Sequence, residues 1–168
     1  MFDLKQHIRE IPDFPKAGIL FRDISPLLRD HFDATIAVLA GLLDEREWAS
    51  VAAIAGIEAR GFVLASALAQ RQGKGFVPIR KEGKLPPPVV RLAYDLEYGN
   101  AALEMGMGGG ELVIVDDVLA TGGTMSAAAN LATQAGYRVS ALVSLIDLDL
   151  VQGFRWNDLT VRTAVRYD

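Results

Sequence analysis

Leu112-Val113-Ile114-Val115-Asp116-Asp117-Val118-Leu119-Ala120-Thr121-Gly122-Gly123-Thr124 is the stretch on which the reading of this chain turns. Four consecutive apolar residues form the pattern of a strand buried on both faces, as parallel strands are. Two adjacent carboxylates stand at its carboxyl end, and a Thr-Gly-Gly-Thr turn opens a helical stretch from about Gly123 to Ala135. In open α/β sheets, ligands sit outside the carboxyl ends of the strands. Glycines there let backbone amides converge on one concavity, and a helix N-terminus adds partial positive charge. With the hydroxyls of Thr121 and Thr124 as further donors, Ala120, Thr121, Gly122, Gly123 and Thr124 predict a cradle for a phosphate monoester. Neighbouring side chains of an extended segment point to opposite sides, so Asp116 and Asp117 do not form one chelating pair. As acceptor-only groups they suit a sugar diol, whose hydroxyls donate. Diol acceptors beside a phosphate cradle describe a ribose 5-phosphate site. The plainer alternative is a helix cap with a tight turn.

The same alternation extends outward from this strand. Val51–Ala55, Phe76–Ile79 and Val139–Ile146 are further apolar runs, and a late strand is expected at Val161–Arg166. Helices are predicted at about Gly61–Gln72 and at Asp33–Glu47, the second from Ile36, Leu39, Ala40 and Leu43 at helical spacing. Continuous apolar strands separated by helices indicate an α/β fold with a central parallel sheet flanked by helices. Nearer the N-terminus, a helix is expected over Leu4–Ile11, followed by an irregular segment punctuated by Pro12, Pro15 and Gly18. Ser25-Pro26 reads as an N-cap followed by proline at the first helical position. Between Ile79 and Leu112 the rhythm breaks on Gly83, Pro86, Pro87, Pro88, Gly99 and the glycines at 106 and 108–110. A long irregular stretch in a compact domain is often a lid or a binding loop. Two hairpin strands are the structural alternative, and the two can hold together.

Composition narrows the classes. At 168 residues, 51% hydrophobic and 23% charged, the chain fits one domain, 1–168, with a core of ordinary size. A net charge of -4 is a poor match to general nucleic-acid binding, which relies on a positive field. With no cysteine, disulfides, zinc-thiolate sites and thiol nucleophiles are excluded. Met1-Phe2-Asp3-Leu4-Lys5 lacks the basic segment and apolar run of a signal peptide. The apolar stretch Ala34–Leu43 is interrupted by Thr35 and too short to span a bilayer. A cytoplasmic protein without a membrane partner is the expectation. Gly83-Lys84 is followed by Leu85, which breaks a P-loop, and Glu111 stands where a dinucleotide fingerprint starting at Gly106 needs glycine. His7 and His31 match no catalytic or metal pattern.

Asp116–Thr124 resembles the phosphoribosyl-diphosphate (PRPP) motif of type I phosphoribosyltransferases. Other segments resemble the adenine phosphoribosyltransferases in particular, through most of the chain. They are Ile11-Pro12-Asp13-Phe14-Pro15, Phe21-Arg22-Asp23-Ile24-Ser25-Pro26, Gly56-Ile57-Glu58-Ala59-Arg60-Gly61-Phe62, Ile79-Arg80-Lys81, Gly83-Lys84-Leu85-Pro86 and Leu96-Glu97-Tyr98-Gly99. The resemblance implies a type I phosphoribosyltransferase fold with an N-terminal hood at about 1–30 and a flexible lid at about 81–105. It implies a homodimer that joins adenine to PRPP, releasing AMP and pyrophosphate, with Mg2+ carried by PRPP and no metal held directly.

Site roles follow from the same resemblance. Glu58, Ala59 and Arg60 form a pyrophosphate loop, which an always-charged, bidentate arginine suits; an ion pair between Glu58 and Arg60 is the alternative. Arg80 and Lys81 face PRPP or pyrophosphate, against a solvated charge run. Glu97 exchanges a proton with the purine imidazole nitrogens, and Tyr98 covers the reacting ribose. Phe21 stacks on one face of the purine, with Val118 on the other. Backbone groups near Leu20 and Arg22 read the exocyclic amine and ring nitrogen. From the sequence alone, without the resemblance, Phe21 reads as a core aromatic. The turn Met105–Gly110 is shorter than the family's usual one, and Pro87-Pro88 replace a glycine-containing lid tip. The rival functions are transfer to hypoxanthine, guanine or xanthine, and a non-catalytic PRPP-sensing regulator.

Overall fold

A computed structural model describes residues 2–96 and 99–167. The chain opens on a single 3-10 turn, Leu4–His7, followed by an antiparallel ribbon of β1 (Arg9–Ile11) and β2 (Phe21–Asp23). The helix expected over Leu4–Ile11 therefore stops after one turn. Asp3 caps that turn by accepting from the Lys5 amide at 3.1 Å, and Arg9–Ile11 give their backbone to β2 instead.

Helices α1 (Ser25–Asp30), α2 (Phe32–Ala40) and α3 (Glu45–Ser50) follow. Ser25 is the first helical residue of α1 and not its cap. Asp23 takes the capping work, accepting from the Ser25 amide at 2.9 Å and the Ser25 hydroxyl at 2.6 Å. The single helix expected over Asp33–Glu47 divides at Gly41. Asp44 and Glu47 start α3 afresh by bonding each other's amides at 2.9 Å, a reciprocal cap stronger than the apolar spacing that runs across it.

Next come β3 (Val51–Ile57), α4 (Arg60–Gln72), β4 (Gly75–Lys81), β5 (Val89–Leu96), β6 (Gly99–Gly106), β7 (Gly110–Leu119), α5 (Gly123–Gln134), β8 (Tyr137–Asp147), β9 (Arg155–Trp156) and β10 (Leu159–Arg166). Among the described residues, eight strands form one sheet in the order β5-β6-β4-β3-β7-β8-β10-β9. The inner five, β4 to β10, are parallel, as the apolar runs predict. Antiparallel strands extend it at both ends, so the sheet as a whole is mixed. Residues 81–105, expected as a lid loop, hold an antiparallel hairpin in continuous register from Val89↔Gly106 to Leu96↔Gly99. The hairpin strands of the alternative reading are therefore formed.

The central strands β3, β7 and β8 are buried on both faces, and their residues sort alternately. Ile54, Val113, Val115 and Val143 pack with Leu39, Leu64 and Leu68 on one side; Ala55, Leu112, Ile114 and Leu142 pack with Met125, Ala128 and Leu131 on the other. Burying each large aliphatic side chain contributes roughly 1.5–3 kcal/mol. One glycine lets α4 close onto this sheet. A Cβ on Gly56 would lie 2.7 Å from the Gly61 carbonyl oxygen and 2.8 Å from Ala65 Cβ. That approach sets the loop between β3 and α4 beside the end of β7.

Candidate active site

At the carboxyl end of β7 the chain turns through Ala120–Gly122 into α5. Gly122 is the residue that precedes α5 and has φ +87°. It has no side chain to cap the helix, so the first-turn amides stay open to an anion. A Cβ at Gly122 would sit 2.2 Å from the Phe154 ring, so only glycine fits there. Asp116, Val118, Thr121, Gly123 and Thr124 line the small cleft, of about 70 Å³, that results. Ala120 to Thr124 thus line a concavity, and the Phe154 ring packs against Gly122 behind it. Nothing in the sequence around Gly153-Phe154 marks that role, because the contact is made across the fold.

The acids come next. β7 continues through Leu119, so Asp116 and Asp117 lie within the strand, not beyond its end. Asp116 Oδ1 accepts from the Asp117 amide at 2.9 Å. Gly61 permits this placement, since a Cβ there would be 3.1 Å from Asp116 Oδ1. Burial, and then the neighbouring Asp117 carboxylate, hold Asp116 well above the ordinary range of an aspartic acid. Its charged form is therefore costly in the folded chain. Replacing it with asparagine, which keeps the Oδ1 acceptor, is expected to stabilise the protein at neutral pH by about 0.5–2 kcal/mol, or about 2–4 °C in melting temperature per kcal/mol. The sign reverses the usual carboxylate case. The raised folded pKa penalises the protein above the unfolded value near 4, so the gain should vanish as the pH falls below it. A melting series from pH 7 to pH 3 checks this; an asparagine variant that melts lower at pH 7 contradicts it.

Asp117 is 8% exposed. Arg60 Nη2, at the start of α4, approaches its Oδ2 to 2.6 Å. The approach lacks hydrogen-bond alignment, so Oδ2 finds no donor among the described residues. A buried carboxylate oxygen without a donor is costly and leaves an acceptor that can take a hydroxyl. Arg60 also lies over the Phe21 ring at 5.0 Å.

Glu58 does not pair with Arg60. It accepts instead from the Lys81 amide at 2.9 Å, from Lys84 Nζ at 3.1 Å and from Arg80 at 3.4–3.5 Å. Burial pushes Glu58 up, but these donors outweigh it and bring the carboxyl down to about 2. The carboxylate of Glu58 therefore gathers cations; the Ala59 backbone and Arg60 are what the loop offers to an anion. Lys84, which the sequence marks only as part of the Gly83–Pro86 motif, joins Arg80 there.

The N-terminal segment reaches this centre through Phe21, half-buried on β2 and edge-on to Phe14 at a centroid distance of 5.1 Å. Leu20 is exposed beside it. The Arg22 side chain is turned to Glu10 and lies 3.8 Å from the Tyr167 ring centroid, so only its backbone is left to serve a base. On the opposite side, Asp95 and Leu96 of β5 line a cavity of about 590 Å³ with Ala120, Thr121, Thr124 and Leu150. Glu97 and Tyr98 lie outside the described residues.

Residues 29–148 match the phosphoribosyl transferase domain model. An adenine phosphoribosyltransferase of Hydrogenovibrio crunogenus is 50% identical over 166 residues, covering 98% of this chain and 96% of its own. A crystal structure of adenine phosphoribosyltransferase from Thermoanaerobacter pseudethanolicus superposes with a TM-score of 0.89 at 43% identity, covering 98% of each chain. That of Saccharomyces cerevisiae, complexed with adenine and an imino-altritol bisphosphate, gives 0.86 at 34% identity over 96% of each. The chain belongs to the adenine phosphoribosyltransferase family of phosphoribosyl transferases.

Proposed function

We propose that this chain is an enzyme that transfers the 5-phosphoribosyl group of PRPP to adenine, giving AMP and pyrophosphate, a purine-salvage step. One observation carries the reading: the 2.6 Å approach of Arg60 to Asp117. In PRPP the ribose diol lies next to the carbon that bears the diphosphate, so its recognition calls for a cation and a hydroxyl acceptor side by side. The cradle at Ala120–Thr124 supplies the remaining contact, for the 5-phosphate.

The reaction passes through a ribosyl cation, so the leaving diphosphate must be neutralised where its charge develops. Arg60, Arg80, Lys81 and Lys84, with the backbone of Ala59, do this. Magnesium carried in by PRPP would further offset charge there. Among the described residues no three histidine, aspartate or glutamate side chains converge as a metal cage. Phe21 stacks on adenine with Val118 opposite, and backbone groups at Leu20 and Arg22 read its amine and ring nitrogen. A wrong base leaves those buried groups unpaired, which is how amide donors and acceptors discriminate. Glu97 and Tyr98, which follow Leu96 in the sequence, manage the proton and exclude water. The enzyme works as a cytoplasmic homodimer.

The deciding experiment supplies the protein with PRPP, magnesium and one base at a time, and follows pyrophosphate release. Adenine is expected to turn over fastest. Faster turnover with hypoxanthine, guanine or xanthine refutes the substrate, and PRPP binding without turnover on any base refutes the activity.

A further inference from the structure

The hairpin contains a charge that the reaction as described does not use. Glu104, on β6, is fully buried. Its two oxygens accept from three successive backbone amides, Gly83 at 3.1 Å, Lys84 at 2.7 Å and Leu85 at 2.5 Å, and from Arg91 Nε at 3.1 Å. Consecutive amides that point inward form an anion-binding nest, and Gly83, with φ +84°, supplies the left-handed residue this nest requires. Glu104 is the anion that fills it. The same turn carries Lys84, whose Nζ bonds Glu58 at 3.1 Å, while the Lys84 carbonyl accepts from Arg80 Nη1 at 3.5 Å. Glu58 leads directly into Ala59 and Arg60.

We propose that Glu104 is a positioning residue for the pyrophosphate end of the cleft, fixing the Gly83–Leu85 turn so that Lys84 and Arg80 stand together beside the Glu58–Arg60 loop. The inference rests on the pyrophosphate reading of that loop. Glutamine at 104 places an amide NH2 where one oxygen now meets backbone donors, so the turn must loosen. Aspartate keeps the charge on a shorter arm. Neither change touches the base pocket.

Pyrophosphate binding, the KM for PRPP and the KM for adenine are to be measured for the parent chain, Glu104→Gln and Glu104→Asp. Losing charge-assisted hydrogen bonds should weaken pyrophosphate and PRPP about 10-fold. The KM for adenine should change less than about 2-fold, a split that general destabilisation would not produce. Glu104→Asp should recover most of the pyrophosphate affinity. A folded Glu104→Gln with parental pyrophosphate affinity, or one that loses adenine and pyrophosphate equally, overturns the proposal. If Glu104→Gln does not fold, Gly83→Ala decides from the other side of the nest. A Cβ there meets nothing within 4 Å, yet it strains the left-handed residue. The same selective loss in Gly83→Ala supports the role and unchanged pyrophosphate affinity rejects it. A parent chain that does not bind pyrophosphate refutes the reading of the loop itself.

Discussion

Glutamine in place of Glu97 is expected to leave PRPP affinity near that of the parent chain and to slow turnover about 100-fold or more, a typical general acid–base contribution. Transfer of the ribosyl group to adenine requires a proton to leave the purine imidazole, and a group near its nitrogens must take it. Asp95 and Leu96, which precede Glu97 in the sequence, line a cavity with Thr121 and Thr124. In water a glutamate has a pKa of about 4 and is a weak base. Closure of the hairpin over the cleft would remove solvent and raise it. Glutamine is isosteric and cannot exchange the proton, so binding and chemistry separate. Equilibrium binding of PRPP together with single-turnover formation of AMP measures both. A variant with parental turnover removes Glu97 from the mechanism, and one that loses PRPP affinity in proportion to its rate makes it a binding group instead.

The strand that holds the acids was legible because its determinants are local. Leu112–Val115 is apolar without a break, and both faces of β7 are in fact covered, by α4 and α5. The glycines of the cradle were legible for the same reason: a turn into a helix N-terminus needs them within a few residues. The hairpin was harder. Prolines at 86–88 and the surrounding glycines punctuate it as a loop, while Val89–Leu96 is only half-covered, with exposed and partly buried positions mixed. What makes it a strand is its register with β6, a pairing that periodicity does not announce.

The side-chain partners were least legible. Arg60 and Glu58 are close in sequence and suggest a pair, yet each finds its partner on another strand: Asp117 on β7 for Arg60, Arg80 on β4 for Glu58. Glu104 reads as an ordinary strand carboxylate until three amides of a distant turn are seen to converge on it. Phe154 has no motif of its own, and its role exists only because it closes on Gly122. Each of these contacts depends on how the strands are ordered in the sheet, which residue spacing does not encode.

Asparagine at 117 offers the sharpest division between the two halves of the substrate. Asp117 Oδ2 is buried and lacks a hydrogen-bond donor, while Arg60 stands 2.6 Å away. In the complex proposed with PRPP, the ribose hydroxyl would supply the missing donor and the diphosphate would take the arginine. The free chain thus holds the two subsites against each other, with the carboxylate partly occupying the cation that pyrophosphate needs. Asp117→Asn removes a charge-assisted hydrogen bond to the diol, about 1.5–3 kcal/mol, so PRPP should bind roughly 10- to 100-fold more weakly. The same change releases Arg60 from a neighbouring negative charge, so pyrophosphate alone should bind no more weakly than to the parent chain, and more tightly at low salt, where screening is least. Opposite movements of two ligands at one substitution are not what unfolding or a general loosening produces. Calorimetric titration with each ligand at two salt concentrations reads both. Parental PRPP affinity in the asparagine variant would remove the diol contact, and a parallel loss of pyrophosphate would mean that Arg60 depends on Asp117 for its position. Combining the change with Arg60→Ala in a double-mutant cycle then measures the coupling directly.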